Sequence, residues 1–242
     1  EISECLVGSE MCIRDRLWYS LFLGVAGLIT YLRWDYRWIL AFSTLVSTVF
    51  SVINVLRPEI HDAALMPALQ SGWFIPHVTV YMFSYSVLGC AFIIAVAGCF
   101  RHRERYLTTA DSLVRTGVAL LTFGMLTGAV WAKAAWGNYW NWDPKETWAL
   151  ITMLLYAVVC HLHFLPKLYG AYTFSVATVF VFASVLMTYF GVNFFLSGLH
   201  SYGITDSHPG FYAIFAAYFL FLLLAAVAYR RRHKGYVAQE CQ

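Results

Sequence analysis

Hydrophobic residues fall into seven long runs, at about 17–32, 38–56, 77–100, 114–135, 147–165, 172–196 and 211–229, parted by short polar or proline-marked stretches. A helix needs roughly 17 to 25 apolar residues to cross about 30 Å of hydrocarbon, a length that all but the short first run reach. The period-two alternation of barrel strands is missing. In lipid each backbone polar group must be paired internally, so the pattern predicts helices. The expected fold is all-α: a polytopic membrane helix bundle with about six to seven transmembrane helices. Composition agrees, with 60% hydrophobic and 12% charged residues and a mean hydropathy of +0.64. Soluble domains carry about a quarter charged residues, so the lipid bilayer is the first partner implied, and no nucleic-acid partner is expected.

The placement of basic residues says more than the net charge of +3, because Lys and Arg in short loops set membrane orientation. Arg33, Arg37, Arg101, Arg103, Arg105, Arg115, Lys167, Arg230, Arg231, Arg232 and Lys234 fall on one side of the expected membrane, whereas Arg57, Lys133 and Lys145 fall on the other. The loops at 57–76, 133–147 and 197–210 are therefore expected on the outer face. Residues 1–16 lack the apolar core of a signal peptide and resemble translated adapter or vector read-through, so they are set aside as a non-native leader. Six cysteines show no paired spacing, and no Cys-x-x-Cys-His occurs, so neither a disulfide framework, a zinc site nor covalently held c-type haem is implied.

Five of nine tryptophans (Trp131, Trp136, Trp140, Trp142 and Trp148) lie within eighteen residues, where even scattering would put fewer than one. An aromatic belt supplies one or two per helix end, too few to account for the cluster. Within it, Asp143-Pro144-Lys145-Glu146 has the form of a helix start: an acidic N-cap, proline at the first helical position and Glu three residues after the cap. Asp143 and Glu146 read as caps before they read as catalytic carboxylates. Capping leaves Lys145 unexplained and makes it a candidate for meeting an anion. Gly124 and Gly128 in the fourth run form a small-xxx-small pattern that predicts close helix packing. Pro76 is expected to open the third helix, with His77 in its first turn, and Gly198 and Gly203 to bracket a turn.

The eight histidines sort by position. His102 and His233 stand among basic residues, and His61 and His208 fit ordinary loops. His77 and His200 each border the membrane on the side of the tryptophan cluster, and two neutral imidazoles make a suitable axial pair for haem iron. His161 and His163 lie within the fifth run, where an ionisable residue is a functional hypothesis by default. At 1.5 Å per residue from Trp148, His161 lies about 20 Å inward. The two are separated by about 200° around a helix, so at most one faces a given partner, and helical geometry alone does not choose between them; His163 is also placed to snorkel near Lys167. A porphyrin is a flat apolar disc with two propionates, so the indoles Trp136, Trp140 and Trp142 offer stacking area, Lys145 offers charge, and His77 and His200 offer axial ligands.

The run Trp136-Gly-x-x-Trp140-x-Trp142-Asp143-Pro144-Lys145-Glu146-Thr-Trp-Ala-Leu-Ile-Thr resembles the tryptophan-rich WWD signature of haem-handling proteins in cytochrome c biogenesis, in the Asp-Pro-Lys-Glu form of the CcsA (ResC) type. Leu69-Gln-Ser-x-Trp73-x-x-x-His77-Val, the run from Trp148 to His161, and Gly198-Leu-His200-Ser-Tyr-Gly203 agree with it, and the resemblance covers about 65–210. It implies that His77 and His200 ligate haem b above the WWD shelf, that Trp136, Trp140, Trp142, Asp143 and Lys145 belong to that site, and that His161 serves a second haem site within the membrane whose other histidine belongs to a CcsB/ResB-type subunit. The implied activity is that of a cytochrome c synthase subunit of the system II kind, active with CcsB, in the bacterial plasma membrane with the WWD loop outward. Its protein substrate is the Cys-x-x-Cys-His of apocytochrome c. The expected division is 1–16 leader, 17–56 two N-terminal helices, 57–229 haem-handling domain and 230–242 basic cytoplasmic tail. Relatives often carry further N-terminal spans or a fused CcsB, which makes a piece of a longer gene product the expectation. Three alternatives remain: a CcmC-type protein presenting haem to a chaperone, whose motif lacks Pro-Lys-Glu after Asp; a respiratory cytochrome b, which needs two paired-histidine helices; and a non-catalytic membrane assembly or transport protein.

Overall fold

The computed structural model describes residues 2–55, 67–101, 104–166 and 170–200, with 216 and 219 as isolated positions. The chain forms helices α1 (Ile2–Trp34), α2 (Arg37–Val55), α3 (Phe74–Arg101), α4 (Glu104–Trp136), α5 (Pro144–Cys160), α6 (Ala171–Leu186) and the short α7 (Val192–Phe195). Short 3₁₀ turns stand before α3 (Pro67–Gln70) and after α5 (Leu162–Phe164), and a π-helical turn (Met187–Gly191) joins α6 to α7. No strand occurs among the described residues. The all-α membrane bundle is the fold observed.

Among the described residues four helices are long and apolar enough to cross a membrane: Phe74–Arg101, Glu104–Trp136, Pro144–Phe164 with its 3₁₀ turn, and Ala171–Gly191 with its π turn. This makes the chain a multi-pass membrane protein. α2 adds a shorter apolar run, Arg37–Val49. The first expected span falls within α1, whose apolar stretch is interrupted by Ser20, Thr30, Tyr31 and Arg33. The expected seventh run apart from positions 216 and 219, the basic tail, His61, His102, His208 and His233 lie outside the described residues.

α3 is the axis of the bundle, buried along 67% of its apolar window against 22% for α5. Its buried residues pack mainly on α4, with α1 and α6 against other faces. Between α1 and α2 the contact is polar: Ser20 Oγ meets Ser47 and Ser51 hydroxyls at 3.0 and 2.8 Å, and Ser47 Oγ donates to the Ser20 carbonyl at 2.6 Å. Small hydroxyl side chains let helices approach closely and satisfy one another without water. At the α1–α2 turn, the Arg105 guanidinium donates to the Trp34 carbonyl and lies 4.8 Å over the Tyr36 ring. Arg33, Arg37, Arg101 and Arg105 thus mark one end of the bundle, and the 137–143 loop lies at the other.

α3 opens at Phe74, two residues before the expected Pro76. A first-turn N–H has no intrahelical partner, so proline is tolerated there, and buried Phe74 packs 5.4 Å from the Trp131 ring. α5 ends at Cys160, short of the expected 165, because Pro166 disfavours helix at Leu165 and its ring would clash with the preceding turn. Gly124 and Gly128 are the packing stripe expected of them: a Cβ at Gly124 would stand 2.6 Å from Tyr81 Cδ2, and one at Gly128 2.7 Å from His77 Nδ1. Gly124→Ala should therefore destabilise the bundle by about 1–3 kcal/mol, the range for overpacking a tight interface. Thermal unfolding in detergent measures it; an unchanged midpoint would show that α3 and α4 can separate at no cost.

Candidate functional site

Trp131, on the penultimate turn of α4, is 1% exposed and donates its indole N–H to the Ala68 carbonyl at 2.9 Å, pinning the 3₁₀ turn that leads into α3. Four rings surround it. His77 stacks on it at 5.4 Å and 17°; His200 meets it edge-on at 5.4 Å and 63°; Trp136 and Phe74 lie at 4.7 and 5.4 Å. Trp136 is also edge-on to His200, at 4.8 Å. One indole thus brings together two histidines 123 positions apart in the chain.

Both imidazoles are fixed through the same nitrogen. His77 Nδ1 lies 2.9 Å from the Gly124 carbonyl, which can only accept, so Nδ1 carries the proton. His200 Nδ1 lies 2.9 Å from Asp143 Oδ2, and an ionised carboxylate likewise only accepts. In each neutral ring Nε2 then keeps its lone pair. The glycine stripe that packs α4 against α3 therefore also seats and orients His77, with Tyr81 edge-on to it at 4.9 Å.

Asp143 is buried and has four partners. It caps α5 by accepting from the Lys145 amide at 3.0 Å and from the Glu146 amide, while Glu146 Oε2 accepts from the Asp143 amide at 3.2 Å and from the Asn141 amide at 2.8 Å, closing the expected capping box. Its other contacts reach across the chain to the Leu199 amide and the His200 ring. Burial by itself would raise its pKa; the hydrogen bonds donated by the His200 ring and by the Lys145 and Leu199 amides outweigh this and hold the carboxyl below its ordinary value. Gly198 is required beside it, since a Cβ there would run into the Asp143 carboxylate and the Pro144 ring.

A cleft of about 760 Å³, counted to its open mouth, runs along this cluster. His77, His200 and Trp131 line it together with Tyr139, Trp140, Lys145 and Glu146, while Met82, Tyr85, Met125 and Tyr189 continue it among the helices. The π turn brings Thr188 and Tyr189 to the wall, and Thr188 meets Thr152 of α5 at 3.0 Å. Single π turns often sit at functional sites.

Of the sequence-derived candidates, His77, His200, Trp140 and Lys145 line the cleft, Trp136 packs on His200 from the side, and Asp143 stands behind His200. Trp142 is 70% exposed, has φ of 56°, and meets Trp140 edge-on at 5.8 Å and 86°. The indoles of Trp140 and Trp142 are thus perpendicular and do not form one flat shelf. His161 is elsewhere: it caps the far end of the 17-residue α5, about 25 Å from the Asp143 end at 1.5 Å per residue.

The expected 200° separation of His161 and His163 is corrected. The helix stops at Cys160, and the following 3₁₀ turn puts the two exposed rings 6.3 Å apart at 23°, with Phe164 beside both. Their Nδ1 atoms lie 2.6 Å from the Ala157 carbonyl and 2.9 Å from the Cys160 carbonyl. Trp131 and Tyr81 were not singled out as site residues; the signal for Trp131 was its membership of the aromatic cluster, five residues before Trp136.

Asp143→Ala removes a helix cap, worth about 1 kcal/mol, frees the Leu199 amide, and strands the buried His200 Nδ1–H at about 1–3 kcal/mol. The variant should unfold well below wild type, whereas Asp143→Asn, which keeps a capping and accepting oxygen, should lose less than half as much. Paired thermal melts decide this; equal losses would show that the carbonyl oxygen of Asn cannot replace these contacts.

A family model described as cytochrome C assembly protein matches residues 16–200. Protein NrfI of Wolinella succinogenes is 35% identical over 235 residues, covering 90% of this chain and 26% of its own length. The cytochrome c biogenesis protein CcsA of Chlamydomonas reinhardtii is 37% identical over 173 residues, or 66% of this chain and 49% of that protein, and CcsA of Nymphaea alba is 34% identical over 200 residues, or 66% and 65%. The chain therefore spans between about a quarter and two thirds of these relatives. With most of the described bundle, from α1 to His200, inside the matched segment, the chain belongs to the cytochrome c assembly protein family, with CcsA among its relatives.

Proposed function

We propose that this chain is a haem-handling membrane component of system II cytochrome c maturation, delivering haem b to an outward-facing site for attachment to the Cys-x-x-Cys-His of apocytochrome c. The observation that carries this reading is the commitment of both Nδ1 atoms, of His77 and His200, to oxygens that only accept, in rings flanking one indole in one cleft. Two open Nε2 atoms are the donor set that a six-coordinate haem iron takes from protein, because the porphyrin supplies the other four ligands. No group of three His, Cys, Asp or Glu converges among the described residues, as a metal ion held by protein alone would need.

The rest of the cleft suits the same group. Aromatic and methionine side chains line it, offering stacking and dispersion contact. The buried indole N–H of Trp140 has no hydrogen-bond partner among the described residues, and Lys145 lines the same wall, so both can meet a carboxylate. Asp143 orients His200, and Gly124 orients His77. When bound, haem supplies vinyl groups across whose double bonds cysteine thiols add without net redox change. The chain's part is to hold and orient rather than to act as an acid or base.

On this proposal the division at 57–229 is the haem-handling domain and the basic helix ends face the cytoplasm of a bacterial plasma membrane. His161, exposed at the inner end of α5, is the ligand of a second site completed by a histidine of a CcsB/ResB-type subunit, so that site needs the partner's surface to close around it. The test is the haem spectrum of the protein co-produced with that subunit. His77→Ala and His200→Ala should each weaken the same low-spin component, and His161→Ala a different one; identical spectra for all three variants would reject the two-site scheme.

A further inference from the structure

The two imidazoles have different backing. His77 Nδ1–H donates to a neutral peptide carbonyl, and His200 Nδ1–H donates to a carboxylate that is itself fixed by the Lys145 and Leu199 amides. The Asp143 and His200 side chains are 3% and 10% exposed, so water screens this pair little. A charge-assisted hydrogen bond is roughly twice as strong as a neutral one, and a carboxylate behind a ligating imidazole raises its basicity and locks its orientation.

We infer that Asp143 is a positioning residue that makes His200 the stronger and His77 the weaker donor of the pair. Asp143 does not line the cleft; it acts through the ring it holds. The inference rests on the bis-histidine reading above. Its consequence is directional: a competing sixth ligand, including an incoming histidine side chain, displaces His77 and leaves His200 in place. Because Asp143 also caps α5, the motif that starts the helix and the one that ranks the ligands are the same carboxylate.

The experiment uses the haem-loaded protein with its co-produced subunit and the iron–histidine stretching band in resonance Raman spectra of the ferrous state. His77→Ala leaves His200 as the histidine ligand, and His200→Ala leaves His77. The band of the first should lie at higher frequency than that of the second. Adding Asp143→Asn, which keeps a cap and an acceptor but removes the charge, should lower the band in the His77→Ala background and leave it unmoved in the His200→Ala background. Equal bands in the two single variants, or an equal response of both to the added Asp143→Asn substitution, overturn the inference. If a single-histidine variant fails to retain haem, Asp143→Asn alone supplies the answer: the reduction potential of the bound haem should rise, and an unchanged potential refutes the role. Absence of haem from the wild-type protein would instead refute the bis-histidine reading, which separates the two failures.

Discussion

The hydrogen bond between the buried Asp143 carboxylate and His200 ties the candidate site to the fold. The same side chain starts α5, holds the loop after α7 and fixes the tautomer of one of the two histidines. All three tasks draw on the few oxygen lone pairs of a single buried group. A buried carboxylate is tolerated only when its hydrogen-bonding capacity is met, and here the amides of Lys145 and Leu199 and the His200 ring do so. The dense aromatic loop therefore has a polar kernel, and its position fixes where the rings point.

The second constraint lies on the opposite wall. The α3–α4 contact is close because Gly124 and Gly128 have no side chains, and that closeness puts a backbone carbonyl within 2.9 Å of His77. Helical carbonyls are normally taken by the N–H four residues on; one that also accepts from a side chain holds a ring without adding a charged group inside the membrane. Packing between spans and orientation of a ligand are here one feature. Trp131 completes the arrangement by packing against both histidines, with its own N–H bonded to the turn that enters α3.

Much of this was legible in the chain. Apolar runs gave the helices, because lipid leaves an apolar backbone few alternatives, and Asp143-Pro144-Lys145-Glu146 gave the capping box from spacing alone. His77 and His200 were distinguished by bordering the membrane on the side of the tryptophans, and they do converge. What could not be read was contact across long separations. Nothing local says that Asp143 reaches His200, 57 residues on, or that Trp131 rather than Trp142 packs against both histidines. The tryptophans suggested a flat platform because composition carries no orientation; Trp140 and Trp142 are perpendicular. The pairing of His161 with His163 was misjudged for a local reason that was available: Pro166 ends the helix early, and a helical wheel does not apply past Cys160.

The central claim is that His77 and His200 present their Nε2 atoms to one haem iron. Electron–nuclear double resonance on the ferric, haem-loaded protein with ¹⁵N-labelled histidine tests it most directly. Two strongly coupled histidine nitrogens are predicted for the outward site, one lost with His77→Ala and the other with His200→Ala. Couplings that survive both substitutions unchanged would place the iron on other ligands and contradict the account.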